Sequence, residues 1–319
     1  MKVLCSISTK GRYDTTLPLA LQSVISQTRK PDKLVLFDDN EEPKDIREIQ
    51  HYRYLLLMLS EVGIDWEVIY GEKKGQHFNH QKANTMGYDW VWRLDDDTVA
   101  EPNTLKNLLL FAKEDVGAVG GSVLTPPFIK GLKSTGKIED IEEQSIQWDY
   151  IENVKEVDHL HCSFLYRAGV YDYNLALSRV AHREETLFTF GLKQKGYKLL
   201  VVPDAVTWHL KNQSGGIRTG QKEMFDHDEF IYRNFIGFKD KTIVVLDNGM
   251  GDHICFKPVL DKIKDPVVFS CYPEIIPGRS IGEAHHLFGD LTSWNIYKKM
   301  DQWQWKDSIQ SAFERMYLK

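Results

Sequence analysis

The 319 residues are enough for one large domain and one small one. Hydrophobic residues at 42% and charged residues at 27% give the balance of a soluble globular protein. The net charge of −6 supplies no general attraction for nucleic acid or an anionic membrane, although a local basic groove stays open.

In chain order, Val3–Ser8 reads as a short apolar strand, so the N-terminus lacks the look of a signal peptide. A polar "TKGR" loop follows. Thr15–Thr28 has helical spacing, with Leu17, Leu21, Val24 and Ile25 on one face. Asp32–Asn40 is a second strand that ends in acids, and Ile46–Gly63 is a helix closed by its glycine. Its apolar run, Tyr54–Ser60, is far short of the ~18 residues of a spanning helix. Asp65–Gly71 is a third strand, His80–Asp89 a short helix, and Trp90–Leu94 a fourth strand that delivers Asp95, Asp96 and Asp97. Pro102–Glu114 is a helix with proline near its start, and Val116–Pro126 a further strand.

From Pro126 to about Asp158 the chain turns polar, and Gly131–Gln144 reads as an excursion or lid. His159–Tyr171 is a strand and turn. Glu184–Lys211 reads as helix, glycine turn and strand, and Asn212–Gln221 as a loop with two adjacent glycines. A boundary near Lys239 divides a domain of residues 1–238 from one of 239–319. The second opens with strand, glycine loop and helix over Thr242–Ile263. It ends in an amphipathic helix over Trp303–Lys319 that suits packing onto the body. Cys5, Cys162, Cys255 and Cys271 form no CxxC pair, which implies a reduced, cytoplasmic setting.

Strands alternating with helices imply an α/β fold with a doubly wound sheet. Ligands of such sheets bind beyond the carboxyl ends of the strands. Thr9, Lys10, Asp38, Asp39 and the aspartate triplet fall on that edge. Carboxylates in Asp-x-Asp spacing can share a hard divalent cation, Mg²⁺ or Mn²⁺. The alternative is a solvated turn capping the next helix. His209 at the end of its strand could complete the coordination of Mn²⁺, or simply bond to a loop.

The first two-thirds of the chain resembles family 2 inverting glycosyltransferases of the GT-A fold, a Rossmann-like, mostly parallel sheet flanked by helices. The resemblance rests on five segments in order: "SISTKGRYDTTLPLALQSVISQT", "LVLFDDN", "KANTMG", "WRLDDDTVAEPNTL" and "REETLFTFGLKQKGYKLLVVPDAVTWH". It implies transfer of a sugar from a nucleoside-diphosphate donor, a UDP-sugar first, to an acceptor hydroxyl with inversion. Asp97 is then the first metal ligand, with His209 and Asp95 beside it. Asp95 also lies near the ribose, and Asp96 belongs to the nucleotide side. Thr9, Lys10, Arg12, Asp38 and Asp39 frame the nucleotide, and Lys82 contacts the diphosphate or is a surface lysine.

Glu185 matches the catalytic base and Glu184 its neighbour. The family usually has Glu-Asp here, so Glu-Glu is a departure that changes the reach of the base. The alternative for both acids is a favourable interaction with a helix N-terminus. Asp158, His159 and His161 could line the acceptor side. The loop after His209 suits a flap over a diphosphate or a plain linker. Asp247–Leu260 faintly resembles the phosphate loop of heptosyltransferase-like GT-B domains. Two other readings stand beside the transferase: a sugar nucleotidyltransferase, disfavoured by the single glycine of "STKGRYD", and a non-catalytic nucleotide-sugar-binding subunit. The acceptor stays open among glycan, protein, small molecule and, less favoured by the charge, nucleic acid. A homo-oligomer also stays open.

Overall fold

The structure is a computed structural model that describes residues 1–125, 136–138, 145–211, 215–216, 220–238, 241–247 and 249–288. It falls into two compact units, Met1–Glu229 and Phe230–Lys319. Most of the Gly131–Gln144 lid and of the Asn212–Gln221 loop, and the Trp303–Lys319 helix, all read from sequence, lie outside the described residues, as does the Lys239 boundary.

The first unit is built on a mixed nine-stranded sheet. Its parallel half has the order β3 (Asp65–Tyr70), β2 (Lys33–Asp38), β1 (Val3–Thr9), β4 (Trp90–Arg93). Antiparallel β8 (Phe164–Arg167) joins β4 to β6 (Val116–Leu124). β6 pairs in parallel with β9 (Lys198–His209), which takes β7 (Lys155–Val157) and β5 (Thr98–Ala100) as antiparallel neighbours. Every residue of β1 and β6 is buried, as expected of central strands covered on both faces.

The period of two along each strand separates two cores. Val3, Cys5, Ile7, Leu34, Leu36, Trp90 and Trp92 face α1 (Leu17–Ile25) and α2 (Gln50–Glu61), meeting Leu17, Leu21, Tyr52 and Leu59. Leu4, Val35, Phe37 and Val91 point the other way, towards Ala83 of α3 (Gln76–Asn84) and Phe188 and Leu192 of α5 (Glu184–Gln194). Arg93 follows Val91 in this alternation. It therefore enters the α5 side of the sheet, where its guanidinium lies 5.5 Å from the Phe164 ring centre. The remaining helices of the unit are α4 (Thr104–Leu109) and the start of α6 (Lys222–Gly237).

The second unit is a parallel β-α-β element: β10 (Thr242–Leu246), α7 (Met250–Leu260) and β11 (Pro266–Ser270), followed by α8 (Ile281–Phe288). Val244, Leu246, Phe256, Val259, Ile263 and Ile276 form its core. Among the described residues no helix is long and apolar enough to cross a membrane, and no disulfide joins the four cysteines.

β6 and β9 lose register where Gly120 pairs with Val201 but Ser122 pairs with Val206. The extra residues of β9 bulge over Gly121, where a side-chain carbon would enter the Ala205 carbonyl. The clash is with backbone and has no rotamer to relieve it. Gly121→Ala should therefore cost about 1–3 kcal/mol, read as a lower urea midpoint with unchanged m-value. An unchanged midpoint would show that β9 can shift.

Candidate functional site

Three side-chain groups gather at the carboxyl ends of β1, β2 and β4. The first surrounds the acids after β2. Asp38 accepts from the Tyr13 hydroxyl through one oxygen, and from the Asn40 amide N–H (3.0 Å) and side chain (2.7 Å) through the other. Both its oxygens are thus committed to the turn. Asp39 accepts from the Lys73 N–H at 3.0 Å, and Gly71 packs so closely on its carboxylate that a Cβ there would overlap it. Lys10 turns outward to Glu41 at 2.7 Å, and its carbonyl accepts from Gly216 N–H at 2.7 Å. Gly215 and Gly216, within the loop read as a flap, thus lie on the Lys10–Arg12 turn. Gly11 can make this turn because its φ of 70° suits glycine.

The second group holds two aspartates of the triplet. Thr9 Oγ1 donates to Asp96 at 2.7 Å, and the Arg12 guanidinium binds Asp96 and, at 2.9 Å, Asp97 Oδ2. His209 Nε2 lies 3.3 Å from the same Asp97 oxygen. That meeting follows from pairing: β5 runs antiparallel to the end of β9, Thr98 opposite His209, and Leu210 N–H donates to the Asp97 carbonyl at 2.8 Å. Burial pushes the Asp97 carboxyl up, but His209 and Arg12 outweigh it and hold it below its ordinary value. Burial likewise lowers His209, and Asp97 more than reverses that, so the imidazole is raised. Asp96 behaves differently. Burial, the largest influence, and the neighbouring Asp97 push its carboxyl up to about 7 against the pull of Arg12 and Thr9.

The third group lies under the first turn of α5. Arg93 is fully buried. Its Nη1 donates to Glu184 Oε2 at 2.8 Å, and its Nη2 reaches Glu184 Oε1 at 2.6 Å, Glu185 Oε1 at 2.9 Å and Asp95 Oδ1 at 3.4 Å. Burial pulls the guanidinium down, but these three acids raise it well above its ordinary value. Gln76, at the start of α3, donates to Glu184 Oε1 at 2.7 Å. Glu185 Oε2 faces His161 Nδ1 at 3.8 Å. Asp95, Glu185 and Cys162 each offer a ligand atom within 4.8 Å of the others.

The predicted residues thus separate. Asp96 and Asp97 meet Thr9, Arg12 and His209, while Asp95 turns to Arg93 and the glutamates. Lys82 is exposed on α3. Asp158 pairs with Lys193 at 2.7 Å, and His159 and His161 touch each other at 2.9 Å. Arg93 and Gln76 were not singled out from sequence. The signal for Arg93 was present, since a guanidinium inside the apolar strand "WVWRL" demands buried acids. Gln76 carried none, because it precedes the helix expected from His80.

Asp97 and His209 could share a divalent cation in place of the Arg12 contact to the same carboxylate oxygen. Asp97 Oδ2 and His209 Nε2 are 3.3 Å apart, near the ~3 Å between adjacent ligands of an ion with ~2.1 Å bonds. Carboxylate plus imidazole suits Mn²⁺ better than Mg²⁺.

Residues 67–223 match the model of glycosyltransferase like family 2. Among curated proteins, the chain is similar to galactofuranosyltransferase GlfT1 of Mycolicibacterium smegmatis, 28% identical over 109 residues, which make up 34% of this chain and 34% of that protein. Its fold is similar to S. aureus TarS 1–349 in complex with UDP-GlcNAc, at a TM-score of 0.50 and 16% identity, covering 71% of this chain and 64% of that one. It is also similar to the mannosyltransferase PcManGT from Pyrobaculum calidifontis in complex with GDP-Man and Mn²⁺, at a TM-score of 0.45 and 13% identity, covering 73% and 60%. The chain thus spans about a third of the curated relative and under two-thirds of each of these structures.

The raised Asp96 carboxyl has a consequence for stability. The folded protein keeps a proton up to about 7 that the unfolded chain releases near ~3.9. Stability of the metal-free protein should therefore fall as pH rises across that window. Asp96→Asn lacks this loss, so urea midpoints in chelator should show the variant gaining on the parent from pH 4 to pH 7. Parallel curves would remove the buried proton.

Proposed function

We propose that this chain is a family 2-like glycosyltransferase of the GT-A fold that moves a sugar from a UDP-sugar to an acceptor hydroxyl with inversion, a reading supported by the match of residues 67–223 to the glycosyltransferase like family 2 model. The observation that carries the proposal is the placement of Glu185. It stands at the first turn of α5 with one oxygen bound to Arg93, in a cluster with Asp95 at the carboxyl end of β4. A buried carboxylate oriented by an arginine at the carboxyl edge of the sheet is suited to general base chemistry.

Glu185 takes the proton of the acceptor hydroxyl as that oxygen bonds to the anomeric carbon. The bond from that carbon to the diphosphate oxygen breaks, and its electron pair leaves with the diphosphate. Glu184, with both oxygens on Arg93 and Gln76, positions Arg93 rather than taking a proton. Thr9, Lys10 and Arg12 line the nucleotide side. Asp39 accepts from the base more readily than Asp38, whose oxygens are both spent. Asp96 helps to orient Arg12, and Lys82 is a further diphosphate contact. Mn²⁺ or Mg²⁺ held by Asp97 and His209, with Asp95 joining them only if it leaves Arg93, would offset the charge developing on the leaving diphosphate, a contribution of several kcal/mol.

The expected outcome for Glu185→Gln is a kcat lower by about 10²–10⁴-fold with donor affinity kept. Asp97→Ala should lose the Mn²⁺-dependent part of the thermal stabilisation given by UDP. A donor-consumption assay with UDP-sugars and product analysis tests both, and full turnover in both variants would end the proposal. Release of pyrophosphate would point instead to a nucleotidyltransferase.

A further inference from the structure

The second unit has a carboxyl edge of its own. β10 and β11 are parallel and end together, with Leu246 opposite Ser270. Asp247 and Cys271 are the next residues of the two segments, and Cys271 N–H donates to the Leu246 carbonyl at 3.1 Å. The first turn of α7 brings His253 to the same edge, where its Nε2 lies 3.8 Å from Cys271 Sγ. His253 is fully buried, whereas Cys271 is exposed.

A hydrogen bond on the other ring nitrogen fixes the tautomer of His253. Nδ1 meets the Gly249 carbonyl at 3.2 Å. A carbonyl only accepts, so Nδ1 carries the proton, and Nε2 of the neutral ring turns its lone pair to the sulfur. Metal-binding histidines are typically held in this way, with the second nitrogen donating to a backbone carbonyl or a carboxylate. The spacing agrees. Zn–S and Zn–N bonds of about 2.3 and 2.05 Å at a tetrahedral angle separate the two ligand atoms by about 3.6 Å. The Tyr272 ring packs edge-on against the imidazole, with centres 5.0 Å apart and planes at 80°.

We propose that Cys271 and His253 bind a thiophilic divalent cation, Zn²⁺ first, which clips β11 to α7. Water takes the remaining positions on the metal. The thiol proton passes to water as the Zn–S bond forms. Hard Mg²⁺ and Ca²⁺ prefer oxygen ligands, so sulfur with imidazole selects against them. The carboxylates of Asp247 and Glu274 bear electrostatically on Cys271, and Asp252 stands in the first turn of α7. This negative charge favours a cation over the phosphate that a glycine loop before a helix would otherwise suit. The exposed sulfur gives the metal its path in. The site lies wholly within the second unit and does not depend on sugar transfer.

The test titrates the reduced full chain, freed of metal by chelator, with Co²⁺ alone as a spectroscopic stand-in for Zn²⁺. The expected result is a near-ultraviolet thiolate-to-Co²⁺ charge-transfer band that added Zn²⁺ bleaches. Asp97 and His209 bring no thiolate and would give no such band. Cys271→Ser, at an exposed position, should lose the band and bind Zn²⁺ more than about tenfold more weakly in competition with a chromophoric chelator. Cys162→Ser should keep the band, which separates this site from the cluster of Asp95, Cys162 and Glu185. No thiolate band in the parent, a band that survives Cys271→Ser, or one that is lost in Cys162→Ser overturns the proposal.

Discussion

The guanidinium of Arg93 is the interaction on which the rest of the site depends. Three acids, Asp95, Glu184 and Glu185, converge beside the hydrophobic core. Taking such charges out of water costs several kcal/mol each unless they are paired and hydrogen bonded. Arg93 meets all three from a position that is itself fully buried. Its planar fork is suited to this, because one guanidinium can donate along several directions at once. A lysine at the same place would bring a point charge and fewer fixed donors. The first turn of α5 adds its own favourable field for acids. Since Arg93 belongs to β4 and the glutamates to α5, the pairing also ties the carboxyl edge of the sheet to the helix over it.

The same reasoning explains how three consecutive aspartates coexist. They do not share one environment. Asp95 turns to Arg93, whereas Asp96 and Asp97 divide Arg12 between them, with Thr9 and His209 as further partners. Asp97 is kept anionic by its neighbours, and Asp96 is pushed towards the neutral form by burial.

Much of this arrangement was legible in the sequence, and the exceptions have physical causes. Alternation along β1, β2 and β4 separates the two cores residue by residue, so the parallel half of the sheet followed from periodicity. The acids at strand ends then fell on the ligand edge. What periodicity could not supply was pairing between distant segments. The three residues of β5 are too few to carry a pattern, yet their contact with β9 is what brings His209 to Asp97 across 112 positions. β7 was hidden in a stretch that reads as polar and irregular, because two of its three residues face water. Arg93 was passed over since the strand around it reads as apolar.

The departure from Glu-Asp to Glu-Glu raises the question of reach, because a glutamate adds a methylene and a rotatable bond. An unanchored glutamate would sample several positions for its carboxylate, with an entropic cost to each productive one. The contact from Arg93 to Glu185 Oε1 removes much of that freedom. It fixes one oxygen and thereby the plane of the other. Glu184 does the corresponding service for Arg93, because its two oxygens, one of them steadied by Gln76, hold both terminal nitrogens of the guanidinium. The longer side chain and the buried arginine are thus one solution: the added reach is useful only where something stiff determines where it ends. In this chain that stiffness comes from a residue inside a β-strand, the least mobile support the fold can offer.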